Sequence, residues 1–153
     1  MHSRETIETL NTLIRACRGA EQLCEASVEA AASANLRSVV RFRAADWARQ
    51  ADELQALVLS LGRTPARSAS AGSSWLCTWV AVKAALLGVS DVLALDACQH
   101  AQLRALHRYD HALSGYLPER IRRTVTLQAD RIADRTETME VLLGQTLVRS
   151  PRA

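Results

Sequence analysis

The chain has 153 residues and a formal charge of +3, is rich in Ala, Leu and Arg, and has few aromatic residues, Gly or Pro. That length carries one domain with a real core, and the composition suits an all-helical protein. Eighteen of the nineteen basic residues are Arg, Lys83 being the only lysine, and they alternate with acids instead of forming a block. The clusters Arg37/Arg41/Arg43 and Arg120/Arg122/Arg123 have the chemistry for phosphate, but no aromatic residues interleave and no reader motif accompanies them. They read as solvated helix faces, and no nucleic-acid partner is expected.

In chain order, the N-terminal Met-His-Ser-Arg-Glu-Thr has no apolar signal region, so a cytoplasmic location is expected. The first helix is predicted from about Glu5 to Ala32, with Ser3 as its cap. Its seam runs Ile7, Leu10, Ile14, Cys17, Glu21, Cys24, Val28, Ala31, in alternating steps of three and four, the apolar stripe of a bundled helix. Glu21 interrupts that stripe. A buried carboxylate needs a metal, a cation or a proton, and which it has decides whether the chain is a catalyst. After the short break Ser33-Ala34-Asn35, a second helix is expected from about Leu36 to Leu61. Its stripe is Leu36, Val40, Arg43, Trp47, Gln50, Leu54, Leu57 and Leu61, and Gly62 stops it.

Residues 62–74 are the only linker-like stretch and lead into a short helix from about Ser74 to Leu87. Trp75, Trp79, Val82 and Leu86 line one face of it, which is expected to pack on the bundle. A single lysine gives little attraction to anionic lipid, and Trp75–Val89 is too short to span a bilayer, so no stable membrane insertion is expected. The third helix follows Gly88, with Ser90 capping and Asp91 in the first turn, and runs to about Ser114. Leu95, Cys98, Leu106, Tyr109 and Leu113 share one face, with Gln102 in its middle and Gln99 at its edge. Gly115-Tyr116-Leu117-Pro118 is a turn, and Pro118 is expected to begin a fourth helix that ends near Leu147. Its stripe is Ile121, Val125, Gln128, Ile132, Arg135, Met139 and Leu142. Residues 1–148 thus form one domain, with 149–153 a frayed tail. Tight connections make two helical hairpins, and the long link between them crosses the bundle, as one crossover does in ferritin-like folds.

Each long helix therefore brings polar side chains to its seam: Glu21 from the first, Arg43 and Gln50 from the second, Gln99 and Gln102 from the third, Gln128 and Arg135 from the fourth. A di-iron or di-manganese carboxylate centre needs a Glu from each of two helices and a Glu-x-x-His from each of the others, because about four positive charges must be balanced in low dielectric. Here Ala97 stands three residues before His100, Arg104 before His107 and Arg108 before His111. Arg43 and Arg135 would repel a cation. The expectation is a metal-free ionic core with no cofactor, in which Glu21 pairs with Arg43 or Arg135 and its removal costs about 3–5 kcal/mol. Iron or manganese belongs to the alternative, a ferritin-class oxidase or storage protein using Glu21 with Asp46, Glu53 or Asp130. Asp96, His100, His107 and His111 cluster on the opposite face of the third helix, where His107 and His111 form an i, i+4 pair and a weak surface metal candidate. Cys17 and Cys24 lie about 10 Å apart along one helix axis, too far to bridge each other, and with Cys77 and Cys98 read as reduced core residues. No C-x-x-C, nucleophile elbow or Gly-rich phosphate loop is present.

Several short motifs, in order, resemble a bacterial family of small ferritin-like proteins of unknown function. They are Leu10-Asn11-x-Leu13-Ile14 with Glu21 following, Glu53-Leu54, and Trp79-x-x-x-Lys83-Ala84-Ala85-Leu86. Cys98, Tyr109 and Leu117-Pro118 complete the set, which covers roughly residues 6–145. The resemblance implies a four-helix ferritin-like bundle. Members look acidic on the third helix where this chain has Gln99 and Gln102, so Glu21 matches and those two positions depart. The expected role is that of a non-enzymatic, stress-associated or partner-binding protein. Its partner would be another protein or a second copy in a homodimer. A further alternative is an interaction module docking through the crossover helix.

Overall fold

The computed structural model describes residues 2–68, 77, 79–84 and 87–149. Its long helices are α1 (His2–Ala30), α2 (Ala34–Ser60), α3 (Asp91–Ser114) and α4 (Glu119–Arg149), with no strand among the described residues. Their ends follow local chemistry. Ser33 Oγ accepts the Leu36 N–H at 3.1 Å and caps α2; Ser90 Oγ accepts the Leu93 N–H at 3.4 Å and caps α3. Gly62, at φ 76°, closes α2 in a Schellman arrangement, in which Arg63 N–H reaches Val58 O at 3.2 Å and Gly62 N–H reaches Leu59 O at 2.9 Å. The expected Ser3 cap is corrected, because α1 already begins at His2 and Ser3 lies inside it. Pro118 stands one position outside α4, its carbonyl accepting the Arg122 N–H at 2.8 Å.

Two sets of bonds define the topology. At one end, Ser90 N–H donates to Ala30 O at 2.7 Å, and Asp91 Oδ1 accepts from the Ala32 and Ser33 amides at 2.8 and 2.9 Å. The start of α3 is thereby tied to the α1–α2 turn. At the other, Ala66 N–H donates to Asn11 Oδ1 at 2.8 Å, while Gln55 Nε2 donates to Ala66 O at 2.9 Å. The chain between Ala66 and Ser90 therefore travels from the beginning of α1 to its end, about 28 Å at 1.5 Å per residue. It follows that α2 and α3 run the same way, antiparallel to α1 and α4. Arg122 closes the α3–α4 turn by donating to Leu113 O at 2.9 Å and Gly115 O at 2.7 Å.

The core is continuous along the bundle and includes Trp47, Leu10, Leu13, Ile14, Leu54, Leu95, Ile132 and Met139. On α1 the buried seam passes through Ala20 where the sequence suggested Glu21, and on α2 Ala44, Ala51 and Val58 take up packing while Leu61 is exposed. In the link, residues 79–84 are helical. Val80 is buried there and Cys77 and Ala84 pack against the core, while Trp79 and Val82 face outward. This corrects the expected inward face. Inward residues follow a step of three then four from Cys77, and the outward Trp79 ring is covered on one side by the Lys83 ammonium, 5.6 Å from its centroid. Trp75, Leu86 and the start of the expected crossover helix lie outside the described residues. No described helix is long and apolar enough to cross a membrane.

Candidate functional site

Tyr109, fully buried on α3, is the hub of a polar layer in the middle of the bundle. Its hydroxyl donates to Gln128 Oε1 at 2.5 Å, lies 3.2 Å from Cys17 Sγ, and accepts from Gln50 Nε2 at 3.4 Å. Gln128 Nε2 in turn donates to Gln50 O at 3.3 Å and to Glu53 Oε2 at 3.1 Å. One phenol thus links all four helices, with Cys17 from α1, Gln50 from α2 and Gln128 from α4. Burial pushes the Cys17 thiol up to about 12 and raises the Tyr109 phenol well above its ordinary value, the neighbouring Cys17 adding to the latter. Burial thus keeps both in the protonated form at neutral pH, and their hydrogen bonds tie the helices together.

Beside this hub lies a charged cluster that spacing alone did not reveal. Asp46 is buried, and its carboxylate faces three guanidinium groups. Oδ2 is 3.5 Å from both Arg43 Nη1 and Arg135 Nε, while Oδ1 pairs with Arg49 Nη2. Arg135 also donates to Gln50 Oε1 at 2.9 Å and lies over the Trp47 ring, which joins the ionic cluster to the hydrogen-bonded layer. Burial lowers the Arg135 pKa and nearby Arg43, Arg131 and Arg49 act the same way, opposed by Asp46. The expected pairing of Glu21 is corrected. Its carboxylate is half-buried on the flank of α1 and accepts from Arg18 Nη1 at 3.0 Å; Arg18 also reaches Asp52 at 2.8 Å and Gln55 at 3.0 Å. The carboxylate that Arg43 and Arg135 share is Asp46. A residue beside Trp47, just off the α2 stripe, gave no periodic signal of that role.

Gln99 and Gln102 are buried but form a separate level: Gln102 Nε2 donates to Gln99 Oε1 at 3.4 Å, and Gln99 Nε2 to Glu140 Oε1 at 3.2 Å. Between α1 and α3, the buried thiols of Cys24 and Cys98 interact with each other. That interaction, then burial, raises the Cys24 pKa, and the same interaction lowers that of Cys98. His100, His107 and His111 are exposed, and Asp96 with them. The arginine clusters have local uses: Arg37 approaches the carbonyls just past the end of α1, at 3.5 Å from Ala31 O and 3.4 Å from Ala32 O, Arg122 binds Leu113 O and Gly115 O at the end of α3, and Arg123 lies 3.6 Å from Glu119.

The residues present do not fit a pair of divalent cations. Asp46 is already held by guanidinium groups, and Glu53, half-exposed, is shared between Gln128 and Arg131, the latter at 3.8 Å. Two carboxylates therefore face Arg43, Arg131 and Arg135, with Arg49 at the margin, so the layer is cationic before any metal enters. Of the three buried side-chain atoms left without a hydrogen-bond partner among the described residues, Arg43 Nε and Trp47 Nε1 are donors, which cannot ligate a metal, and Gln102 Oε1 is a neutral acceptor at the separate Gln99 level. Among the described residues, no three His, Cys, Asp or Glu side chains converge as ligands would.

The fold and its interior thus define an all-helical protein, four long helices closed around a buried, arginine-rich polar layer. By sequence the chain belongs to the family described as a domain of unknown function, DUF2383, whose model matches residues 5–115. The match takes in α1, α2, the link and α3, and stops short of α4, so Gln128 and Arg135 lie beyond it. No curated protein and no solved structure matches the chain.

Proposed function

We propose that this chain is a bacterial, cytoplasmic, ferritin-like bundle that works without a di-metal centre, as a non-enzymatic protein whose outer surfaces bind a partner. The two antiparallel hairpins joined by an end-to-end link support the ferritin-like assignment. Fold analogy supplies no reaction, so the role rests on the site. One observation carries it: the buried carboxylate Asp46 is occupied by Arg43, Arg135 and Arg49, in the layer where a carboxylate-bridged centre would need free acids. The protonated Cys17 and Tyr109 beside it offer hydrogen bonds and no activated nucleophile.

The test is elemental analysis of freshly purified protein prepared without chelator from cells supplied with iron and manganese. The expected content is far below one metal per chain. Near-stoichiometric iron or manganese that disappears in Asp46→Asn would overturn the reading.

A further inference from the structure

A shallow groove of about 170 Å³ lies between α1 and α3 on the outside of the bundle. Ala16, Gly19, Ala20, Ala101 and Ala105 form its floor, which lets another backbone approach closely. Its rim is basic. Arg15 stands on the α1 wall and Arg104 and Arg108, one turn apart, on the α3 wall. All three are exposed, and none forms an ion pair with another described residue. Small, shallow and elongated, the space suits a helix laid along it better than an enclosed small molecule.

The complementary feature is on α4 of the same chain. Leu127, Asp130, Asp134, Glu137 and Val141 follow steps of three and four, and all five are exposed. Val125, Gln128, Ile132 and Met139, which are buried, occupy the opposite side of that helix, so the stripe points straight away from the core. Its three acids likewise form no ion pair with another described residue. From Asp130 to Glu137 is about 10 Å of helix, inside the roughly 16 Å of groove between Thr12 and Leu23. Three unpaired arginines around an apolar trough thus match three unpaired acids flanked by two apolar side chains.

We infer that the groove is an interaction site for a second copy of this chain, which lays the α4 stripe of one molecule into the α1–α3 trough of the next. The stripe and the groove are on different faces, because α4 packs on α3 and reaches α2 through Gln128, Arg131 and Arg135 while pointing its acids outward. No molecule fills its own groove. The contact is head-to-tail, each copy spending one groove and one stripe, so association builds rings or chains larger than a dimer. It names the partner for the partner-binding reading above and rests on it.

Sedimentation velocity on the full chain, over a concentration series in low and high salt, tests this. Wild type should associate beyond dimer at low salt and dissociate as salt screens the rim charges. Arg104→Gln/Arg108→Gln should weaken association by about tenfold, as should Asp134→Asn/Glu137→Gln, each removing exposed charge pairs. An equimolar mixture of the two variants should recover a 1:1 dimer that grows no further, since only one intact groove and one intact stripe remain. All four positions are solvent-exposed, and unchanged helical circular dichroism confirms folding of each variant. A monomer at every concentration in low salt, or association that neither variant weakens, overturns the proposal. Metal content is read separately, so a metal-loaded interior would defeat the non-enzymatic reading without moving these results.

Discussion

Asp46→Asn keeps the shape of the side chain and removes the one negative charge that Arg43 and Arg135 share. Both guanidinium groups are largely shielded, with side chains 17% and 12% exposed, and both lie 3.5 Å from Asp46 Oδ2. Breaking a buried pair by deleting one partner strands the other, at a cost of about 3–5 kcal/mol. Two cations left facing one another place this variant toward the upper end. In urea, with a slope of about 2 kcal/mol/M, the unfolding midpoint should fall by about 2 M at unchanged slope. The matched control is Glu21→Gln. Arg18 keeps Asp52 and Gln55, and the pair is partly solvated, so the loss should stay below about 1 kcal/mol. Replacing Asp46, Arg43 and Arg135 together by Leu, Met and Met should recover most of the stability, because the triad repays little more than its own desolvation. Equal losses from the two single variants, or an Asp46→Asn loss under about 1 kcal/mol, would refute the assignment of the central ion cluster.

Tyr109→Phe removes the donor of the fully buried Gln128 Oε1 and should cost about 1–3 kcal/mol, lowering the thermal midpoint by several degrees. Because the folded Cys17 pKa lies near 12, above the unfolded thiol value, the native state holds more protons than the unfolded chain in between. The Cys17 contribution to stability should therefore be constant up to about pH 8.5 and be lost as pH rises from there toward 12, so the alkaline decline should be smaller in Cys17→Ser. Native protein treated with iodoacetamide should react first at half-buried Cys77, with Cys17, Cys24 and Cys98 following only as the chain opens. Mass mapping showing Cys24 labelled ahead of Cys77 would contradict the buried packing.

The end of α2 and the start of α3 were legible, since Gly62 and Ser90 act on residues within three or four positions, whereas Ser3 and Pro118 were misplaced and Ser33, read only as part of a break, is the cap of α2. The seams of α3 and α4 were legible too, because Tyr109 stands between Arg108 and Asp110 and the buried Val125, Gln128, Ile132 and Met139 recur at helical spacing. On α1 the 3–4 pattern admits two adjacent stripes. Large residues near both ends drew the seam through Glu21, whereas the small Ala20 is what packs. The link failed for the same reason of weight: Trp79 and Val82 outscore Cys77, Val80 and Ala84, yet the smaller set faces the bundle. Asp46 was the larger miss. Its burial depends on arginines from α2 and α4 that meet only in three dimensions, and no local periodicity encodes that meeting.

On the proposed reading, the guanidinium groups of Arg43, Arg49 and Arg135 close the bundle interior to divalent cations. Thermal unfolding with and without added manganese(II), against a chelator-treated control, tests it most directly, since any ion bound to the native interior raises the midpoint by mass action. The transition should stay in place at every manganese concentration. A saturable rise of about 5–10 °C, absent in Asp46→Asn, would contradict it.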